Sequence, residues 1–156
     1  MRAAVLTVSD GVHSGEREDA SGDLLEGLLR EDGFDVVRRV VPDERETIAV
    51  AIAELSDDSL LVLTTGGTGF APRDVTPEAT ASVIEREAPG IAEAIRRVSD
   101  GDDRGFGMLS RGVAGIRGRA LICNLPGSSG GAREGVDVLL PIAAHALDLL
   151  AGGHPH

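Results

Sequence analysis

Thr64-Thr65-Gly66-Gly67-Thr68-Gly69 puts three glycines into four consecutive positions. Without Cβ atoms the backbone can turn its N–H groups outward. A concave row of such amides suits a phosphate or a carboxylate. Thr65 and Thr68 add hydroxyl donors. A glycine loop can equally be a tight turn between a strand and a helix. The spacing is not the GxGxxG of dinucleotide sites. Arg73 and Asp74 follow closely. A carboxylate beside a phosphate nest is unfavourable unless a cation lies between them. Mg²⁺ suits that place, because it takes one or two carboxylates plus phosphate oxygens and keeps its other waters. Asp43, at the end of another apolar run, has the same two readings: metal ligand or helix cap.

Two further loops carry polar, small residues. Ser9-Asp10-Gly11 leads through Ser14-Gly15 to Asp19-Ala20-Ser21-Gly22, a length typical of binding loops. Asn124-Leu125-Pro126-Gly127-Ser128-Ser129 precedes a helical pattern and offers an anion site at a helix N-terminus. It also matches GxSxG with Ser129 in the nucleophile slot, the signature of a serine hydrolase. The histidine such an enzyme needs later in the chain would be His145, His154 or His156. The four histidines have no metal-ligand spacing. Ser110-Arg111 could present a guanidinium to an anion. Cys123 reads as a small buried hydrophobe.

These loops need a scaffold, and the hydrophobic pattern supplies one. Ala3–Val8, Phe34–Val41, Leu60–Leu63, Val113–Ile116 and Arg119–Asn124 read as strands. Asp23–Glu31 reads as a helix with Leu24, Leu25, Leu28 and Leu29 on one face. Asp43 with Glu46 has capping-box spacing ahead of Ile48, Ile52 and Leu55. Thr76-Pro77 starts a helix running to about Glu87. Another spans Gly90–Val98, and a last one carries Val136 to Leu150, with Pro141 expected to kink or restart it. Asp100–Gly107 reads as a polar, mobile loop and 151–156 as a frayed tail. Strand–helix alternation implies an open, doubly wound α/β sheet with ligands at the carboxyl ends of its strands.

Composition narrows the function. The chain has 156 residues, one domain's worth, taken as 1–150. A formal charge of −11 disfavours nucleic acid, whose binding rests on Lys and Arg. All 15 basic residues are arginine, which excludes a Walker A loop and Schiff-base chemistry. One cysteine excludes an internal disulfide. No apolar run reaches membrane-span length, and the short apolar start is no signal-peptide core, so a cytoplasmic protein is expected.

Taken in order, Leu6-Thr7-Val8-Ser9-Asp10, Pro42-Asp43-Glu44, Thr64–Gly69, Arg73-Asp74-Val75-Thr76-Pro77-Glu78, Leu109-Ser110-Arg111, Ala114–Gly118 and Asn124-Leu125-Pro126-Gly127 resemble the MogA/MoaB family of molybdenum cofactor biosynthesis. Domains of gephyrin and its plant counterpart share these motifs. The resemblance implies a three-layer αβα fold on a mostly parallel, Rossmann-like open sheet, assembled as trimers or sometimes hexamers. It implies molybdopterin and Mg-ATP as substrates, with AMP transferred to the terminal phosphate of the pterin and pyrophosphate released. A molybdate-inserting partner would take the product. The family's catalytic aspartates map onto Asp43 and Asp74, the expected Mg²⁺ ligands. Its phosphate loop maps onto Thr65, Gly66, Gly67, Thr68 and Gly69. Ser9, Asp10, Ser110, Arg111, Asn124, Pro126, Gly127, Ser128 and Ser129 would shape the remaining pocket. Where the family commonly has a small polar residue, proline and lysine after Leu-Pro-Gly, this chain has Ser128, Ser129 and Gly130; Arg133 could restore the charge. The alternatives are a non-catalytic pterin-binding module of the same fold and the serine hydrolase.

Overall fold

The computed structural model describes residues 1–99 and 105–153. A short apolar run builds β1 (Arg2–Val8), an interior strand buried on both faces. Ala3 and Val5 enter one core, Ala4, Leu6 and Val8 the other. β2 (Asp35–Val41), β3 (Leu61–Thr65) and β6 (Ala120–Leu125) run parallel to β1. β5 (Ala114–Arg117) turns back on β6, and β4 (Arg86–Glu87) pairs antiparallel with β5. The sheet order is β2-β1-β3-β6-β5-β4.

Helices cover both faces, giving the αβα layering expected from the pattern. On one face lie α2 (Ala20–Glu31), α5 (Pro89–Ser99) and α6 (Ser129–Leu150), packed through Leu25, Leu29, Ile95, Val136 and Leu139. Leu24 and Leu28 are only partly buried. On the other face lie α3 (Arg45–Asp58) and α4 (Thr76–Ala81), packed through Ile48, Ile52, Leu55 and Ala79. Cys123 is fully buried in β6, which pushes its thiol up to about 12.

Several local expectations are corrected. The first loop contains a short helix, α1 (Asp10–His13), capped by Ser9 Oγ accepting from Val12 N at 3.2 Å. α4 stops at Ala81 rather than near Glu87, because Glu85 N donates to Ile116 O at 2.8 Å and draws the chain into the sheet edge. α6 runs unbroken through Pro141. Both Pro141 and Asp137, whose carbonyl the proline leaves without an amide, are exposed, so water can satisfy it. Phe106–Leu109 forms a 3₁₀ turn. The rest of the loop expected to be mobile, Asp100–Arg104, lies outside the described residues, as does the tail from His154. Among the described residues no helix is long and apolar enough to cross a membrane.

Candidate active site

Strand order reverses at β1, whose neighbours are β2 and β3. A crevice at the carboxyl ends follows from that reversal. Two cavities open there. The smaller, about 480 Å³, lies over β1 and β3 between Ser9, Asp43, Thr65–Gly67, Asp74 and Gly127–Ser129. The larger, about 630 Å³, lies between Gly67–Gly69, Asp74, Phe106, Ser110, Pro126–Ser128 and the start of α6. Gly67, Asp74, Gly127 and Ser128 line both, so the cavities share one wall.

The glycine loop is shaped by close approach. Gly66 has φ +101°, and a Cβ there would stand 2.2 Å from Val8 O. Gly67 has φ +68°, and its Cβ would stand 2.3 Å from Thr76 Oγ1. Only glycine fits either place. Thr76 Oγ1 donates to Gly66 O at 2.9 Å and Thr76 N to Gly67 O at 3.1 Å, closing the loop onto α4. The N–H groups of Gly67, Thr68 and Gly69 have no partner among the described residues. Those of Ser129 and Gly130, at the start of α6, are also unpartnered, while Ser128 Oγ accepts from Gly131 N at 3.1 Å. Two sets of free amides therefore belong to residues that line the two cavities, one of them at a helix N-terminus.

Neither aspartate caps a helix. Glu44 and Val75 hold the positions before α3 and α4, and neither caps with its side chain. Asp43 Oδ2 accepts from Asp10 N at 2.8 Å, and Asp43 N donates to Asp10 Oδ1 at 3.0 Å. Asp74 Oδ2 accepts from Ala71 N at 2.9 Å. Each carboxylate thus has one oxygen held and one without a hydrogen-bond partner among the described residues. Arg73 grips Asp10 with Nε at 2.6 Å and Nη2 at 3.0 Å. Those bonds, with the Asp43 amide, lower the Asp10 carboxyl below its usual range. Asp43 is raised instead, first by burial and then by the negative charges of Asp10 and Asp74. A carboxylate so placed favours a neighbouring cation. Among the described residues no three His, Cys, Asp or Glu side chains cluster to hold an ion by themselves. Two carboxylates with free oxygens beside a row of free amides fit the few protein ligands that Mg²⁺ takes alongside phosphate oxygens and water.

The other expected residues divide. Ser9, Ser110, Pro126, Gly127, Ser128 and Ser129 line the cavities. Asp10, Arg111 and Asn124 line neither. Arg111 braces the glycine loop: Nε donates to Gly69 O at 2.8 Å, Nη2 to Asp74 O at 2.7 Å, and Nη1 pairs with Glu78. Asn124 is 4% exposed and fully engaged, donating to Thr64 Oγ1 and Thr80 Oγ1, both at 2.9 Å, and accepting from Val113 N at 3.1 Å. Thr65 Oγ1 donates to Pro126 O at 2.8 Å and shares a hydrogen bond with Ser21 Oγ at 3.1 Å, tying three loops together. No described histidine lines either cavity. His145 sits sixteen residues along α6 from Ser129, ~24 Å at 1.5 Å per residue, so the hydrolase arrangement is absent among the described residues. The pattern missed Arg17 and Glu18 in the smaller cavity and Glu134 in the larger. Arg17 had one signal, as the only arginine in a loop of acidic and small residues.

This arrangement defines an α/β domain with a two-lobed crevice lined by residues whose backbone amides are free. Residues 4–145 match the family model described as "Probable molybdopterin binding domain", and the chain belongs to that family. It is 37% identical over 155 residues to the molybdopterin adenylyltransferase of Helicobacter pylori, covering 96% of this chain and 88% of that protein. It is 40% identical to the molybdenum cofactor synthesis protein cinnamon of Drosophila melanogaster, of whose length it spans only 25%. The crystal structure of the molybdopterin biosynthesis enzyme MoaB from Thermus thermophilus superposes with a TM-score of 0.89 at 46% identity, covering 97% of this chain and 96% of that one. The chain is also 39% identical over 150 residues to the molybdenum cofactor biosynthesis protein B of Bacillus cereus, covering 93% of this chain and 88% of that protein.

Proposed function

We propose that the protein is a molybdopterin adenylyltransferase. An anionic oxygen of the pterin's terminal phosphate attacks the α-phosphorus of ATP. The new P–O bond forms as the bond from the α-phosphorus to the α,β-bridging oxygen breaks, and pyrophosphate leaves with the electron pair. The nucleophile is already ionised at neutral pH, so no general base is required. The protein's task is to bring two polyanions together in line and offset their charge.

The observation that carries this reading is the shared wall: two cavities, which would take one substrate each, meet at Gly67, Asp74, Gly127 and Ser128. The free amides of the glycine loop and of the α6 N-terminus would hold phosphate oxygens there. The free oxygens of Asp43 and Asp74 would hold Mg²⁺, which supplies positive charge to the triphosphate when bound. The reading carries with it the homotrimer of the family resemblance, a cytoplasmic setting and a molybdate-inserting partner as consumer of the product.

The test is pyrophosphate release from ATP in the presence of molybdopterin, with and without Mg²⁺. Asp74→Asn should fold, bind the pterin and lose turnover by ~10²-fold, as when an electrostatic group at a reacting centre is removed. Near wild-type turnover in that variant removes Asp74 from the mechanism. Pterin binding without Mg-dependent pyrophosphate release selects the non-catalytic module.

A further inference from the structure

We infer that Arg17 binds a substrate phosphate in the smaller cavity. The inference rests on the two-substrate reading above and deepens it. Among the described residues, Arg17 is the one arginine that lines either cavity. Of the other guanidiniums near the crevice, Arg73 is engaged with Asp10, Arg111 with Glu78 and two carbonyls, and Arg38 with Asp19, Asp23 and Glu26, while Arg133, near the start of α6, lines neither cavity. The Arg17 side chain has no hydrogen bond and no ion pair among the described residues, although Glu16 and Glu18 flank it.

The loop is built to hold this side chain in place. Glu16 N and Arg17 N both donate to Gly11 O, at 2.9 and 3.1 Å. The aliphatic stem of Arg17 then lies against the α-carbon of Gly11, where an added Cβ would stand 2.8 Å from Cδ and 3.2 Å from Cγ. A glycine at position 11 makes room for the stem.

Charge gives the position a purpose. The smaller cavity also holds Glu18, Asp19, Asp43 and Asp74. Asp19 is neutralised by Arg38, but the others oppose an incoming anion in a chain of formal charge −11. A planar guanidinium with all its donors free is the group that offsets this and grips phosphate oxygens in pairs. The bound phosphate belongs either to ATP or to the pterin.

Isothermal titration of Mg-ATP and of molybdopterin, each alone, tests the inference on the full chain. Arg17→Ala should weaken one of the two by about tenfold, the loss of one charge-assisted contact at an exposed position. The ligand affected identifies the source of the phosphate. Arg17→Lys should recover most of the affinity, since an ammonium still binds phosphate as a point charge. Gly11→Ala, which displaces the stem while keeping the guanidinium, should weaken the same ligand. Adenosine, which has no phosphate, should bind wild type and Arg17→Ala alike if ATP is the ligand affected. Unchanged affinity of Arg17→Ala for both ligands, with wild type binding both, overturns the role of Arg17 and leaves the proposed function standing. Wild type binding neither ligand overturns the proposed function and this inference together.

Discussion

Replacing Asn124 by alanine should unfold the protein more easily while leaving substrate affinity intact. The side chain lies at the end of β6, 4% exposed, with all three of its hydrogen bonds made to other elements. Its amide nitrogen donates to Thr64 on β3 and Thr80 on α4, and its oxygen receives the Val113 amide. Alanine removes all three. Thr80 Oγ1 keeps its bond to Thr76 O at 2.8 Å, but Thr64 and the Val113 amide are left unmatched. At about 1 kcal/mol net for each bond, the loss is about 3 kcal/mol. In a domain of this size that lowers Tm by roughly 6–12 °C. Tyr and Trp are absent, so urea unfolding is best followed by far-ultraviolet circular dichroism. At a temperature where the variant is folded, the KM for ATP and for molybdopterin should stay within about threefold of wild type, a difference of under ~0.7 kcal/mol. A stability loss below ~1 kcal/mol together with a tenfold rise in KM would make Asn124 a ligand contact and refute the reasoning.

Two further outcomes follow from the site. The Asp43 carboxyl is raised chiefly by burial, so the unfolded chain ionises first and the native state loses stability as pH rises through the carboxylate range. Asp43→Asn should therefore raise Tm at pH 7, with the gain fading as pH falls below ~4, and Mg²⁺ should raise Tm for wild type but not for the variant; calorimetry across this range decides both. Arg111→Lys should lose turnover by at least ~10-fold with only a small drop in Tm, because lysine cannot reach Gly69 O, Asp74 O and Glu78 in one fork and the glycine loop loosens. Wild-type turnover in that variant would show that the loop holds its shape without the fork.

What the sequence made legible is what local rules govern. The short apolar runs at Ala3–Val8 and Leu61–Leu63 mark strands because side chains must enter a core on each face. Gly66 and Gly67 mark a tight loop because their positive φ and close neighbours leave no room for a side chain. Local rules failed where a distant group competed. Asp43 has the spacing of a cap, yet the Asp10 amide, 33 residues away, takes its oxygen. The helix predicted to Glu87 ends at Ala81 because β5, from beyond residue 113, offers hydrogen bonds to the chain after it.

By itself, then, the amino-acid order determined the alternation of strands and helices, the loops carrying polar donors, and the absence of lysine chemistry. Only the folded chain decided which donors remain free. Thr65, Arg111 and Asn124 are chemically as able to hold a phosphate as Arg17 or the amides of Gly67–Gly69. The first three are engaged by partners brought from as far as 61 residues away, and the latter belong to residues that line a cavity. A hydrogen-bonding group serves function only after packing has failed to use it, and that is a property of tertiary contacts rather than of residue type.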